Sequence, residues 1–385
     1  MRTKGTLRIA IAVSLLGSVS VVACEGAAPV DGGHADGGPA RDAGRRDASA
    51  PIDAGDVGGR VPVFVAQGYA GRTAVSCDDG RTWVADRSMD DALRCFQDGL
   101  DCDHHPGRAK GIAFGRTHFV ATFGWGSPGE VRRSADGAQW DVVLEGTTFG
   151  DVAAGPDAMV LGARGARRST DDGAAWSEPI DPGVSGWNVR RAGYVPHDGG
   201  RWIVVFEDAS PEVRLSSDGG ASWWAPTSIP AACGHGAQNE GGIGYVGGAI
   251  VLVGSDGVAC RSTDGGRTWT EHAVGGSVSS SDVVHAEGEL LAWGNGRVLR
   301  TRDGATWSEA ATSPAVTIGA VARSPEGTFV AVSGGWNRWY DAQRWYRSTD
   351  GVRWEELGPE AARRGHPIHR IVHGLAAPSE ACPAR

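Results

Sequence analysis

One motif, S-x-D-x-G-x-x-W together with a form one residue shorter, occurs seven times in this chain of 385 residues. The copies begin at Ser76, Ser134, Ser169, Ser216, Ser262, Thr301 and Ser348. Their start-to-start intervals of 58, 35, 47, 46, 39 and 47 residues match the period of a four-stranded blade with loops of variable length. A unit of that kind buries its apolar faces only by stacking on its neighbours. The repeat therefore predicts an all-β array closed into a ring, a seven-bladed β-propeller of four-stranded blades. The 60 Gly and 15 Trp agree with a fold rich in turns and strands.

The chemistry of the motif is that of a turn. Short Ser and Asp side chains accept hydrogen bonds from backbone N–H groups that a tight turn leaves unpaired, and the glycine supplies the backbone freedom. The closing Trp buries a large ring against the blade, with its indole N–H available to a carbonyl. These seven carboxylates are expected to be structural rather than catalytic.

The motif resembles the Asp-box, or bacterial neuraminidase repeat, of the sialidase-like propeller superfamily, over residues 61–376. That resemblance places each box at the turn between the third and fourth strands of a blade. It implies that ligands bind on the opposite face, on the loops between blades and between second and third strands.

Upstream of the ring, residues 1–24 read as a secretory leader. A basic start is followed by an apolar run from Ile9 to Val22, which is too short to span a bilayer, and then by Val21-Val22-Ala23-Cys24. The last four residues resemble a bacterial lipobox, with Cys24 as the lipidated residue and an outer-membrane or cell-surface lipoprotein as the product. Residues 25–60 form a linker rich in Gly, Ala, Asp and Pro, without an aromatic residue to fold around. Its flexible reach is roughly 30 Å. Residues 61–385 form the propeller. The membrane is then met only through the lipid anchor. A net charge of −9 argues against nucleic acid as a partner.

Blade 4 shows the strand pattern clearly, in the runs 188–196, 201–207, 212–218 and 222–229. Blade 7 repeats it at 317–324, 328–334, 344–350 and 353–358. The first box is preceded by only one strand pair, 61–68 and 72–78, so blade 1 lacks an inner strand. The segment 369–377 is expected to supply it and close the ring. On that topology, six cysteines of an exported protein pair as Cys95 with Cys102, Cys77 with Cys382 and Cys233 with Cys260.

Function is sought on the long loops. The loop 95–111 gathers Asp98, Asp101, Asp103, His104, His105 and Arg108; Asp103, His104 and His105 carry ligand chemistry for a transition metal, although adjacent histidines are not a recognised ligand spacing. The loop 233–242 carries His235 and Glu240. The loop 334–345 presents Trp336, Arg338, Trp339, Tyr340 and Asp341, with Trp125 and Trp187 on the same rim. Aromatic faces beside hydrogen-bonding groups suit sugar rings or protein partners. Asp103, Glu207, Glu240 and Asp341 are the candidate carboxylates for glycoside hydrolysis, which requires two facing across the pore.

The sialidase resemblance further implies three arginines on a substrate carboxylate, a Tyr/Glu pair and an x-R-I-P motif. Arg60-Val61-Pro62 approaches that motif, but lies too close to the first box. The arginines immediately before boxes, Arg133, Arg168, Arg261, Arg300 and Arg347, fall on third strands near the box face and do not suit the triad. The preferred reading is a monomeric glycan- or protein-binding module acting through its loop face, without a cofactor. A glycoside hydrolase, sialidase-like or other, and an assembly or scaffold propeller are the alternatives.

Overall fold

The computed structural model describes residues 59–88, 106–124, 129–146, 148–183, 189–206, 213–233, 241–334, 343–358 and 366–384. They form seven antiparallel sheets arranged as the blades of a propeller. Five are four-stranded; blade 5, for example, runs Gly242–Val246, Ala249–Val253, Val258–Ser262 and Thr270–Ala273.

In blades 3 and 4 the outer strand shrinks to one antiparallel bridge, Ala166 to Ile180 and Leu215 to Trp224. Proline explains both. Pro179 and Pro182 flank Ile180, and Pro226 follows Trp224, so the ladder loses the N–H donors it needs to continue. The run 222–229 expected as an outer strand is thus paired with its own blade only at Trp224.

Ring closure follows the expected route. Ile368–Ala376 is the inner strand of blade 1 and pairs antiparallel with Val61–Gly68, from Val61 opposite Ala376 to Gly68 opposite Ile368. Cys77 and Cys382 form a disulfide across the same junction, closing a span of 305 residues. Cys233 and Cys260 form a second bridge, joining the loop after blade 4 to the third strand of blade 5. Cys95 and Cys102 lie outside the described residues.

There is no single core. Apolar side chains gather between successive blades, as where Phe64 and Ala74 of blade 1 meet Val330, Val332 and Trp345 of blade 7. Each such side chain, fully buried, contributes on the order of 1.5–3 kcal/mol. Blades are stable because they are neighbours, which is why the number of repeats sets the architecture.

The boxes sit at the turns between third and fourth strands. At Ser262 the hydroxyl donates to Asp264 Oδ1 at 2.8 Å and accepts from the Gly266 N–H at 2.8 Å, while Thr268 N donates to Asp264 Oδ1 at 2.9 Å. The same Ser/Thr, Asp and Gly contacts recur in all seven copies. The indole N–H groups depart from expectation. Only Trp140 and Trp269 donate to their box glycine carbonyls, both at 2.9 Å. The other five box indoles have no acceptor among the described residues. Their rings are oriented by packing on the neighbouring blade instead: Trp83 lies 4.1 Å from Trp345, and Trp354 meets Trp293 edge-on.

Candidate functional site

The seven inner strands start on the face opposite the boxes and surround a central cavity of ≈180 Å³. Its waist is aliphatic, with Ile112, Ile243, Val321 and Ile371 from four different blades. Its mouth on the loop face is charged. Asp151 stands just before the inner strand of blade 3 (Val152–Ala154), Arg191 is the third residue of that of blade 4 (Val189–Val195), and Arg370 is the third residue of that of blade 1. Ser281 and Asp282 precede the inner strand of blade 6 (Val284–Ala286).

Arg191 is the hub. It is only 2% exposed, and its guanidinium lies 3.5 Å from Asp151 Oδ2 and 3.9 Å from Asp282 Oδ1. It also donates to the Ser281 carbonyl at 2.8 Å and to the Gly241 carbonyl. One side chain thus ties blades 3, 4, 5 and 6 together at the mouth. Asp151 packs so closely on blade 2 that a Cβ on Gly111 would stand 2.3 Å from its Oδ1, so this position admits no side chain. Burial pushes the Asp151 carboxyl up, and Asp282 adds to that, while Arg191 and Arg370 oppose it.

Cations from blades 1, 2 and 4 converge beside this hub. Arg370 donates to the Lys110 carbonyl at 2.8 Å and to the Ser281 carbonyl at 3.4 Å. Lys110 is 6% exposed, and its ammonium is pushed down to about 6 by burial and then by the guanidinium groups of Arg190, Arg108 and Arg370. Burial first, then Arg108, Arg370, Lys110 and His366, hold His369 well below the ordinary histidine range. The Arg190 guanidinium is lowered to about 10 by burial.

Of the residues nominated from sequence, Arg108 is buried near Lys110 and His369. Asp103, His104, His105, Trp125, Trp187, Glu207, His235, Glu240, Trp336, Arg338, Trp339, Tyr340, Asp341 and Cys24 lie outside the described residues, as do Asp98 and Asp101. No group of three or more metal-ligating side chains occurs among the described residues. Arg60, the resemblance to the x-R-I-P motif, braces the ring by donating to the Leu375 carbonyl at 2.9 Å and the Thr117 carbonyl at 2.7 Å.

Sequence reasoning missed Lys110, Asp151, Arg190, Arg191, Asp282 and Arg370, because they sit at or just before the starts of inner strands and not on the long loops. The signal was present. RAKGIAF, VRRAGYV and IHRIVHGLA each carry cations within the first three residues of an inner strand, and of these Arg191 and Arg370 line the central cavity.

The fold defines a seven-bladed propeller with a one-sided polar mouth. Apo AztD from Citrobacter koseri shares that fold at a TM-score of 0.50 and 8% identity, over 83% of this chain and 99% of that one. YCF48 from Cyanidioschyzon merolae gives 0.47 at 17% identity over 66% of this chain and 85% of its own. A YCF48 bound to D1 peptide gives a TM-score of 0.49 at 16% identity, over 71% of this chain and 94% of its own. No family model matches the chain, and no curated protein matches it.

Proposed function

We propose that the chain is an exported, lipid-anchored propeller of the Asp-box type that binds an acidic glycan or protein segment at the loop-face mouth of its central cavity. The observation that carries this reading is the charged opening of the central cavity, where Arg191 and Arg370 form part of the lining and Lys110 lies near enough that burial first, and then the guanidinium groups of Arg190, Arg108 and Arg370, push its ammonium down. An anionic group entering the mouth would meet the Arg370 guanidinium, which lines it, in a charge-assisted contact. Two disulfides fit maturation in an oxidising compartment, and the lipobox-like Cys24 with its linker would hang the ring from a membrane surface.

Glycoside hydrolysis is the second reading, because Asp151 and Asp282 both line the cavity. Arg191 stands between these two carboxyls and contacts each, an arrangement that suits bracing better than proton transfer. Among the described lining residues none is aromatic, so a sugar platform at this depth would have to come from elsewhere.

The test uses the detergent-solubilised full chain on arrays of acidic and neutral glycans and of acidic peptides. Binding restricted to anionic probes, weakened at least about tenfold by Arg370→Ala, is expected for loss of a charge-assisted contact. Equal binding of neutral probes would overturn the reading. Turnover of fluorogenic glycosides abolished by Asp151→Asn would establish the hydrolase instead.

A further inference from the structure

The arginine that precedes a box latches one blade to the next. Arg133 donates to the Asp172 carbonyl at 2.9 Å, Arg261 to that of Asp303 at 2.6 Å, Arg300 to that of Asp350 at 3.4 Å, and Arg347 to that of Asp79 at 2.9 Å. Asp79 and Asp172 hold the left-handed position of their boxes, with φ of 62° and 63°. Their side chains supply a carboxylate to the seam. Asp79 Oδ2 accepts from Arg347 and from Thr328, both at 2.6 Å; Asp172 accepts from Arg116 N at 2.7 Å and Thr117 N at 2.9 Å in the preceding blade.

The seam between blades 3 and 4 has the same arginine without that carboxylate. Gly219, with φ of 73°, stands where Asp79 and Asp172 stand. A Cβ there would lie 3.2 Å from Arg168 Nη2 and 3.4 Å from its Nε. The Arg168 Nε is buried and has no hydrogen-bond partner among the described residues. It faces a cavity of ≈280 Å³ on the box face, lined also by Asp157, Tyr194, Gly200, Trp202 and Asp218.

These neighbours define what fits. Gly200 leaves the wall bare, since a Cβ there would meet the Tyr194 hydroxyl at 2.5 Å. Asp218 is already engaged by Ser216 Oγ, Ser222 N and Ser222 Oγ of its own box. Asp157 is exposed at the rim, where it suits a hydroxyl donor and disfavours a second anion. The space is that of one small ring or a short acid.

We propose that this inter-blade pocket binds a small hydroxylated carboxylate, with Arg168 taking the ligand's carboxylate as Arg347 takes that of Asp79 at the seam between blades 7 and 1. The site lies on the opposite face from the cation-lined mouth and stands independently of it.

The experiment titrates D-glucuronate, with D-glucose as the neutral control, against the full chain by calorimetry and by NMR of the indole and phenol signals of Trp202 and Tyr194. Saturable binding of glucuronate, at least about tenfold tighter than that of glucose, is expected from the charge-assisted contact. Gly219→Asp places a chain carboxylate on Arg168; it should abolish the glucuronate response and melt above the Gly219→Ala control. Arg168→Met should lose the response without the gain in melting temperature. Absence of saturable binding to the wild type, parity with glucose, or a response retained in either Gly219→Asp or Arg168→Met would overturn the proposal.

Discussion

At the scale of single residues, the box aspartates act as charged acceptors for turn N–H groups. Hydrogen bonds from Thr306 N and Ala305 N hold Asp303 at about 2; for Asp218, Asp264 and Asp350 burial pushes the carboxyl up, but the turn donors outweigh it and the result is again about 2. A folded pKa below the unfolded one gives stability that is complete above pH about 4 and is lost as pH falls through about 2. Asp303→Asn should therefore lower the melting temperature at neutral pH, with the difference from wild type vanishing near pH 2 in a pH series of melts. A difference constant across that range would show that the charge is irrelevant. Glycine demands are equally local. Gly80 has φ of 82°, and a Cβ there would stand 2.2 Å from Val330 Cγ1 of blade 7, whereas Gly183, at 81°, has nothing within 4 Å. Urea unfolding should show Gly80→Ala destabilised by about 2–3 kcal/mol and Gly183→Ala by about 1 kcal/mol, the strain without the clash.

At the scale of blades, the latch arginines predict a contrast between two chemically identical substitutions. Arg347 donates from Nε to the Asp79 carbonyl and from Nη2 to Asp79 Oδ2 and Thr328 Oγ1. Arg347→Ala should cost about 2–3 kcal/mol by chemical denaturation, because it strands a partly buried carboxylate. Arg168→Ala should cost less than about 0.5 kcal/mol, since no acceptor is lost. Equal costs would mean that the arginine stems, not their hydrogen bonds, hold the seams. These contacts also mark what sequence could and could not reveal. The strands were legible because their alternation and the boxes repeat within one blade, and Val61–Gly68 matches its expected bounds. The arginines were visible at a fixed place before five boxes, yet their acceptors lie in the next repeat, 39 to 50 residues on for Arg133, Arg261 and Arg300, where no local pattern points. The outer strand of blade 4 is shorter than the run 222–229 suggests, because Pro226 lies inside that β-rich run.

At the scale of the whole molecule, stability rests on joining the first and last described segments. A propeller open at one seam exposes the apolar sides of two blades, and here that seam is internal to blade 1. Removing residues 366–385 would take away the strand that pairs along all of Val61–Gly68, uncover Phe64 and Ala66, and release Cys77 from its bridge. The disulfide alone closes a span of 305 residues, at the upper end of cross-link effects, about 5–6 kcal/mol in the chain-entropy account. Cys382→Ala should therefore lower stability by up to that amount while leaving a cooperative transition, because the closing strand still pairs. Deletion of 366–385 should instead abolish the single cooperative melt, since each blade depends on the one before it and the ring then has two free edges. Scanning calorimetry of both forms distinguishes the roles of strand and cross-link. Unchanged unfolding of the deletion would mean that six intact seams suffice and that closure through Ile368–Ala376 is not what holds the ring.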